Sequence, residues 1–158
     1  MGENRVLFTF RDEIDMERVI ANGPWSFDKF LIILQRIEDD DQIAQIKFRH
    51  ISLWVQIHNM PVRHLTEEAG WKIGATLGTV ERVGTEDERR GGGNYVRIRV
   101  RMDAQKPLCR GRKIGLDGKR EMLVSFKYER LPNFCYWCGL ITHGKSDCDL
   151  WLQSQETL

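Results

Sequence analysis

Four residues in the C-terminal part of the chain have the types and spacing of a metal site. Cys135, Cys138, His143 and Cys148 follow the pattern Cys-x2-Cys-x4-His-x4-Cys. Zinc in proteins prefers four such sulfur and nitrogen ligands arranged as a tetrahedron. Gly139 directly follows the second cysteine and supplies the backbone freedom that a tight turn around a metal requires. The pattern therefore predicts one Zn²⁺ ion held by these four residues.

Other chemistries explain the four residues less completely. A disulfide between Cys135 and Cys138 leaves His143 and Cys148 without a role. A thioredoxin-like redox pair has its Cys-x-x-Cys at the start of a helix, whereas residues 139–143 have no helical periodicity. Disulfide or redox chemistry is the alternative to zinc. Since the protein supplies all four ligands, no position is left for a catalytic water, and we expect a structural metal.

The distribution of charge along the chain indicates the class of partner. The formal net charge is only +1. Residues 89–130, however, contain 13 basic and 4 acidic side chains, a balance of +9, whereas residues 1–88 carry −6 and residues 131–158 carry −2. A local positive excess of this kind is typical of a surface that binds nucleic-acid phosphates.

Basic and aromatic side chains in and after this segment are the candidate nucleic-acid contacts. Alternation along residues 95–102 places every second side chain on one face of a strand, about 6.6 Å apart. Two aromatic residues between the first two zinc ligands are suited to stack on unpaired bases, which favours single-stranded RNA or DNA. The candidates are Tyr95, Arg97, Arg99, Arg101, Arg110, Arg112, Lys113, Tyr136, Trp137 and Lys145.

Structural alternatives exist for the same residues. Arg97, Arg99 and Arg101 fit equally a solvated outer face of a two-layer domain, because polar residues commonly occupy the outer side of an antiparallel sheet. Trp137 fits a residue that packs the zinc site against the domain, and Tyr136 is then the better stacking candidate. Both interpretations stay open at this point.

Apolar periodicity predicts the elements that position these residues. In chain order it predicts a strand over residues 6–10, a helix between Asp12 and Gly23-Pro24, a central strand over 25–37, a strand over 51–57, a helix over 66–78, a strand over 79–83, the strand over 95–102, a hairpin turning at 116–119 and a final strand over 122–128. This order predicts an α+β fold, with helices on one face of a largely antiparallel sheet, followed by a small zinc knuckle. We expect domains at residues 1–131 and 132–149, and a tail at 150–158.

The zinc stretch and several upstream motifs resemble a known protein family. The motifs are the Cys-x2-Cys-x4-His-x4-Cys pattern, its approach at residues 124–135, Gly-Pro-Trp-Ser-Phe at 23–27 and Leu-Trp-Val-Gln-Ile-His-Asn-Met-Pro at 53–61. Together they are similar to plant proteins derived from non-LTR retrotransposons, in which a domain of unknown function precedes a CCHC zinc knuckle. The resemblance implies zinc and nucleic-acid binding and an RRM-like, ferredoxin-like start, of which this chain is expected to lack the opening strands and helix.

The remaining function classes are weighed against this interpretation. The alternative function is that of a protein–protein adaptor, in which zinc only stabilises the docking surface and nucleic acid is not contacted. We expect no enzyme, because His50, His58 and His64 are not arranged with a plausible nucleophile or paired carboxylates. No apolar run reaches membrane-spanning length and no secretory leader opens the sequence. We expect an intracellular protein of the nucleus or cytoplasm, where free thiols persist.

Overall fold

The computed structural model describes residues 5–85, 93–115, 118, 120–131, 135, 138–141 and 148–156. Its elements are α1 (Glu13–Ala21), β1 (Trp25–Phe27), β2 (Phe30–Ile32), β3 (His50–His58), α2 (Glu67–Gly74), β4 (Thr79–Val83), β5 (Val96–Asp103), β6 (Gly111–Ile114), β7 (Met122–Tyr128) and α3 (Asp149–Glu156), with short 3-10 turns at Ile43–Gln45 and Val62–His64. Antiparallel sheets combined with these helices confirm the predicted α+β class. No helix within the described ranges is long and apolar enough to cross a membrane.

Five strands form the main sheet in the order β4-β5-β3-β7-β6, with every neighbouring pair antiparallel. The central strand β3 places Val55 opposite Ile98 of β5, and Ile57 opposite Phe126 of β7. The strong alternation in β3 and β5 was predicted, and both strands form where the sequence indicates. Because the side-chain period of a strand is two, this register fixes which residues share a face.

One face of the sheet, which we call the helix face, carries Val55, Ile98, Val100, Val124 and Phe126. These side chains are buried in the main hydrophobic core. The helix α2 packs on them through Ala69 and Ile73. Its glycines permit a close approach, because a Cβ added at Gly74 would lie 2.6 Å from Val80 Cγ2 and 2.9 Å from Ile98 Cδ1. Thr66 caps the helix by accepting a hydrogen bond from the Ala69 amide at 3.2 Å.

The opposite face, which we call the arginine face, carries Trp54, Arg97, Arg99, Arg101 and Lys127. The indole of Trp54 is only 8% exposed, and guanidinium groups lie over it. The C-terminal end of α1 lies on this face, where Arg99 donates hydrogen bonds to the carbonyl of Ile20 in the last turn and to that of Gly23 just after the helix. The two helices therefore lie on opposite faces, and the prediction that they share one face is wrong. The reason is that carbonyls at the C-terminal end of a helix attract cations, so the buried Arg99 can hold this helix end on the sheet without an apolar contact surface.

The N-terminal segment differs from its prediction in two places. Residues 6–10 have no strand pairing and are exposed, so the predicted strand there is absent. The predicted central strand over 25–37 is instead the hairpin of β1 and β2, a separate two-stranded sheet. Asp28 and Lys29 turn the chain with positive φ angles of 49° and 67°. Two consecutive positive φ angles define a tight hairpin turn, which usually contains glycine or asparagine and therefore gave little signal in this sequence.

Candidate metal centre and basic sheet face

Three of the four predicted zinc ligands converge in the structure. The Sγ atoms of Cys135, Cys138 and Cys148 all lie within 4.8 Å of one another. A tetrahedral zinc with Zn–S bonds of about 2.3 Å places its sulfurs about 3.8 Å apart, so this cluster is within about 1 Å of the required geometry. Cys135 and Cys148 are buried, at 0% and 1% exposure. The donor set and its spacing therefore fit one structural zinc ion.

The turn around the first two cysteines is held by backbone hydrogen bonds. The Cys138 amide donates to Cys135 Sγ at 3.5 Å, and the Gly139 amide donates to the Cys135 carbonyl at 2.8 Å. The Cys135 amide donates to the Leu140 carbonyl at 2.9 Å, which closes the loop. Gly139 has a φ of +81°, a conformation that L side chains rarely adopt, so the glycine predicted to follow the second ligand is required.

Cys148 approaches the cluster from the start of a helix. It immediately precedes α3, and its carbonyl accepts a hydrogen bond from the Leu152 amide at 2.9 Å. The N-terminal end of a helix carries partial positive charge, which stabilises a neighbouring thiolate. The sequence predicted only a tail after residue 149, whereas the chain from Asp149 to Glu156 is helical.

The surroundings of Cys138 make its thiol harder to ionise. Burial raises the pKa of the Cys138 thiol; a hydrogen bond with the Leu140 backbone opposes this, and hydrogen bonds with the Cys135 and Cys148 sulfurs add to it. Zinc binds thiolates and not thiols, so metal binding must displace these protons. A bound cation such as Zn²⁺ would compensate the negative charge of the thiolates.

The zinc turn is attached to the sheet domain. The Leu108 amide donates to the Gly139 carbonyl at 2.8 Å, and a Cβ at Gly139 would lie 3.0 Å from the Pro107 Cβ. Ile141, between the second cysteine and the predicted histidine ligand, is 3% exposed and belongs to the main hydrophobic core. The zinc site therefore stabilises the position of a core residue. The predicted domain limits at 131 and 149 stay a prediction.

Several predicted site residues lie outside the described ranges. They are His143, Tyr136, Trp137 and Lys145. His143 thus remains the predicted fourth zinc ligand. The possible roles of Tyr136 and Trp137, in stacking or in packing, both remain open.

Arg97 and Arg99 are committed to contacts inside the protein. Arg97 forms a two-pronged ion pair with Glu129, from Nε to Oε2 at 2.8 Å and from Nη2 to Oε1 at 3.0 Å, and its guanidinium lies 3.8 Å from the centre of the Trp54 ring. Arg99 is 7% exposed and donates to the Gly23 carbonyl at 3.0 Å. Burial lowers the pKa of Arg99, but a guanidinium remains charged in proteins. Both arginines therefore have structural roles.

The Arg97–Glu129 ion pair makes stability depend on pH. Burial raises the pKa of Glu129, but hydrogen bonds from Arg97 and Gln56 outweigh it, so the pKa is below its usual value. A lowered carboxyl pKa contributes stability above the unfolded value of about 4.3, and this contribution is lost as the pH falls through the folded pKa. We expect Glu129→Gln to destabilise the fold by about 1–2 kcal/mol at pH 7. Chemical denaturation at pH 7 and at pH 3 should show a smaller difference in the variant than in the native protein.

A matched control for this variant is Glu67→Gln, which removes one carboxylate from the exposed first turn of α2. It should change stability at pH 7 by no more than about 0.5 kcal/mol. If the stability of the native protein and that of Glu129→Gln depend equally on pH, the ion pair does not contribute to the pH dependence of stability.

Other basic side chains of the sheet keep their charges available to solvent. Arg101, Lys113 and Lys127 are exposed, and no hydrogen bond or ion pair engages them in the part of the chain that the structure describes. The register places Lys113 opposite Leu123 and Lys127 opposite Gln56, on the same side of the sheet as Arg101. Lys127 was not among the predicted contacts, although its alternation with Phe126 and Tyr128 could have identified it.

The remaining predicted contacts are dispersed. Arg110 is exposed at the start of the β6 hairpin, and Arg112 is exposed on the opposite side from Lys113, with Nη2 3.7 Å from Cys109 Sγ. Tyr95 is half-buried, and its ring lies 5.0 Å from that of His58. Burial, and then the charge of Lys127, lower the pKa of His58. Of the ten predicted contacts, the structure describes seven, and it does not bring these seven onto one surface.

Comparisons with known proteins divide the chain into two recognisable parts. Residues 1–45 match a domain of unknown function, DUF4283, and residues 102–150 match a zinc knuckle family. The chain is 28% identical over 135 residues to the uncharacterized protein At4g02000 of Arabidopsis thaliana. That alignment covers 85% of this chain and 42% of the relative, so the chain spans less than half of the relative's length. No solved structure matches.

The zinc knuckle match begins at residue 102, well before the first cysteine. It includes residues 107 and 108, which contact Gly139. The matched segment and the structure thus agree that the zinc turn and the preceding part of the sheet domain belong together. The protein carries a DUF4283 segment followed by a CCHC zinc knuckle with a structural zinc site.

Proposed function

We propose that this protein binds single-stranded nucleic acid through a zinc-stabilised basic surface and catalyses no reaction on it. The observation that carries the proposal is the convergence of three knuckle cysteines within 4.8 Å, in a chain that matches a zinc knuckle family. Small zinc-stabilised units of this type are one of the common RNA-binding modules. The metal itself serves to hold the turn, because the predicted ligand set fills its coordination.

The positive charge for phosphate binding is supplied by the sheet. Arg101, Lys113 and Lys127 lie on one side of it, exposed to solvent. They belong to residues 89–130, whose charge balance is +9. Lys and Arg side chains that neutralise phosphates release counterions, so the resulting affinity is tolerant of sequence and sensitive to salt.

Single strands are favoured over duplexes because bases must be accessible for stacking. Tyr136 and Trp137 are proposed to supply this contact beside the zinc ion. The proposal also includes an intracellular, reducing location and the retrotransposon origin that the resemblance implies. The relative from Arabidopsis thaliana agrees with the plant source of the resembled family.

A charge-removal experiment tests the surface. The triple variant Arg101→Gln, Lys113→Gln and Lys127→Gln should bind a single-stranded RNA less tightly. The slope of log affinity against log salt concentration should fall by up to about 2, since each phosphate contact contributes about 0.7 on single strands. Fluorescence anisotropy with the zinc-loaded protein at several salt concentrations measures both quantities.

The control removes the same charge from the acidic part of the chain. Arg11→Gln, Lys47→Gln and Lys72→Gln change three exposed residues outside the basic segment. This variant should keep the native salt slope. Failure of the native protein to bind single-stranded RNA or DNA at low salt would contradict the proposed function and favour the protein–protein adaptor.

A further inference from the structure

A pocket lies where the N-terminal segment meets the arginine face. It has a volume of about 220 Å³. One wall is formed by Trp25 and neighbouring apolar residues of α1 and β2, and the other by the start of β3 together with Arg101 of β5. None of the three zinc ligands that the structure describes lines this pocket.

Trp25 gives the pocket an aromatic wall in a fixed position. Its indole Nε1 donates to the Val19 carbonyl at 2.7 Å, which anchors the ring to α1. The residue nevertheless remains 38% exposed. Ile20 and Ile32 line the pocket beside it. A large, half-exposed ring that is already held in place can receive a flat ligand with little loss of side-chain entropy.

Arg101 is the uncompensated charge at the pocket. Arg36 also lines it, but an ion pair of 2.6 Å with Glu13 balances its charge. Glu81 accepts a hydrogen bond from Ser52 at 2.6 Å and lies 3.6 Å from the Arg99 guanidinium. Within the described ranges no partner engages Arg101. The pocket therefore combines an apolar, aromatic wall with the exposed guanidinium of Arg101.

We propose that this pocket binds one nucleotide of a single-stranded nucleic acid, with the base against Trp25 and a phosphate at Arg101. Pockets for drug-sized ligands are about 300–1,000 Å³, so about 220 Å³ suits a fragment as small as one base with its phosphate. Stacking on an aromatic ring combined with a basic phosphate contact is the general chemistry of single-strand binding. This inference rests on the proposed function and assigns the DUF4283 segment a part in it.

The position of the pocket supports a strand as the source of the nucleotide. Arg101 and Lys127 lie on the same face of the sheet, on the two strands that flank β3. A bound chain can therefore place one phosphate at Arg101 and another toward Lys127. A free mononucleotide would make only the contacts inside the pocket.

Two variants test the assignment in the zinc-loaded full chain, with a fluorescently labelled oligouridine as the probe. Arg101→Gln changes an exposed side chain and should weaken binding by about threefold or more, with a salt slope lower by about 0.7. Trp25→Leu should weaken binding by about fivefold or more, the lower range of one base–aromatic stack. Lys72→Gln, on α2 and across the sheet, is the matched control and should bind as the native protein does.

A second readout covers the case in which Trp25→Leu disturbs the N-terminal segment. Trp25→Phe keeps an aromatic ring, and it should remove a part of the tryptophan fluorescence quenching that the oligouridine causes. The protein has five tryptophans, so the loss is read as the difference between native and variant. Unchanged quenching in Trp25→Phe, together with unchanged affinity of Arg101→Gln, would overturn the assignment of a nucleotide to this pocket. Binding of the oligouridine by the native protein would still support the proposed function in that case.

Competition with uridine monophosphate distinguishes the sources of the nucleotide. We expect the mononucleotide to displace the oligouridine only at concentrations at least about a hundredfold higher than unlabelled oligouridine, because it lacks the flanking phosphate contacts. Displacement at comparable concentrations would overturn the assignment to a strand. No binding of either probe to the native protein would overturn the proposed function itself.

Discussion

Removal of zinc, by a chelator or by Cys138→Ser, is expected to unfold the zinc turn and to destabilise the sheet domain with it. Structural zinc contributes about 10–16 kcal/mol of apparent binding energy in small zinc-finger peptides. Without the metal, the buried Cys135 and Cys148 have only hydrogen bonds and packing to hold them. Ile141 would leave the main core, and burial of such a side chain contributes about 1.5–3 kcal/mol.

Thermal unfolding and tryptophan spectra should both report this change. We expect a clear fall in Tm after chelation and its recovery when zinc is returned. The matched control is Cys109→Ser, since the Cys109 thiol lies outside the cluster and donates only to the Gly111 carbonyl at 3.1 Å. Spectra and Tm that do not respond to the chelator would contradict a structural role for the metal.

Replacement of the buried Arg99 by methionine should be the most damaging single change on the arginine face. Its guanidinium donates to the Gly23 carbonyl at 3.0 Å and the Ile20 carbonyl at 3.2 Å, and it lies 3.6 Å from Glu81. Methionine fills part of the volume but removes the donor of both carbonyl hydrogen bonds and the ion-pair partner of Glu81. Loss of one partner from a buried, charged network costs several kcal/mol, and we expect about 2–4 kcal/mol here.

The same variant should loosen the N-terminal segment selectively. Hydrogen exchange of the amides in α1 should increase more than that of the amides in β3 and β5, because Arg99 joins α1 to the sheet. Arg101→Met is the control on the same strand face, and its exposed position predicts a change within about 0.5 kcal/mol. Equal stability of Arg99→Met and Arg101→Met would refute the attachment through Arg99.

Local patterns in the sequence predicted the strands of the main sheet but not what covers them. Alternation in β5 separated Val96, Ile98 and Val100 from the arginines, and the strand register confirms that the two sets lie on opposite faces of the sheet. Whether an arginine is exposed to water or packed against a helix end depends on long-range contacts. Arg99 and Gly23, for example, are in contact but are 76 residues apart in sequence. A pattern of period two carries no information on such a contact.

The predicted metal site depended on spacing, and three of its ligands converge as expected. The N-terminal hairpin was missed for a different reason. Asp28 and Lys29 form its turn without a glycine, so an apolar run that continues to Leu34 looked like one long strand. Turn formation there depends on conformations that these two residue types adopt infrequently.

The most direct test of the account is the metal content and coordination of the purified protein. Elemental analysis should give one zinc per chain. X-ray absorption at the zinc edge should then show three sulfurs at about 2.3 Å and one nitrogen at about 2.0 Å, from Cys135, Cys138, Cys148 and His143. Absence of stoichiometric zinc, or a shell of four sulfurs without nitrogen, would contradict the proposed site.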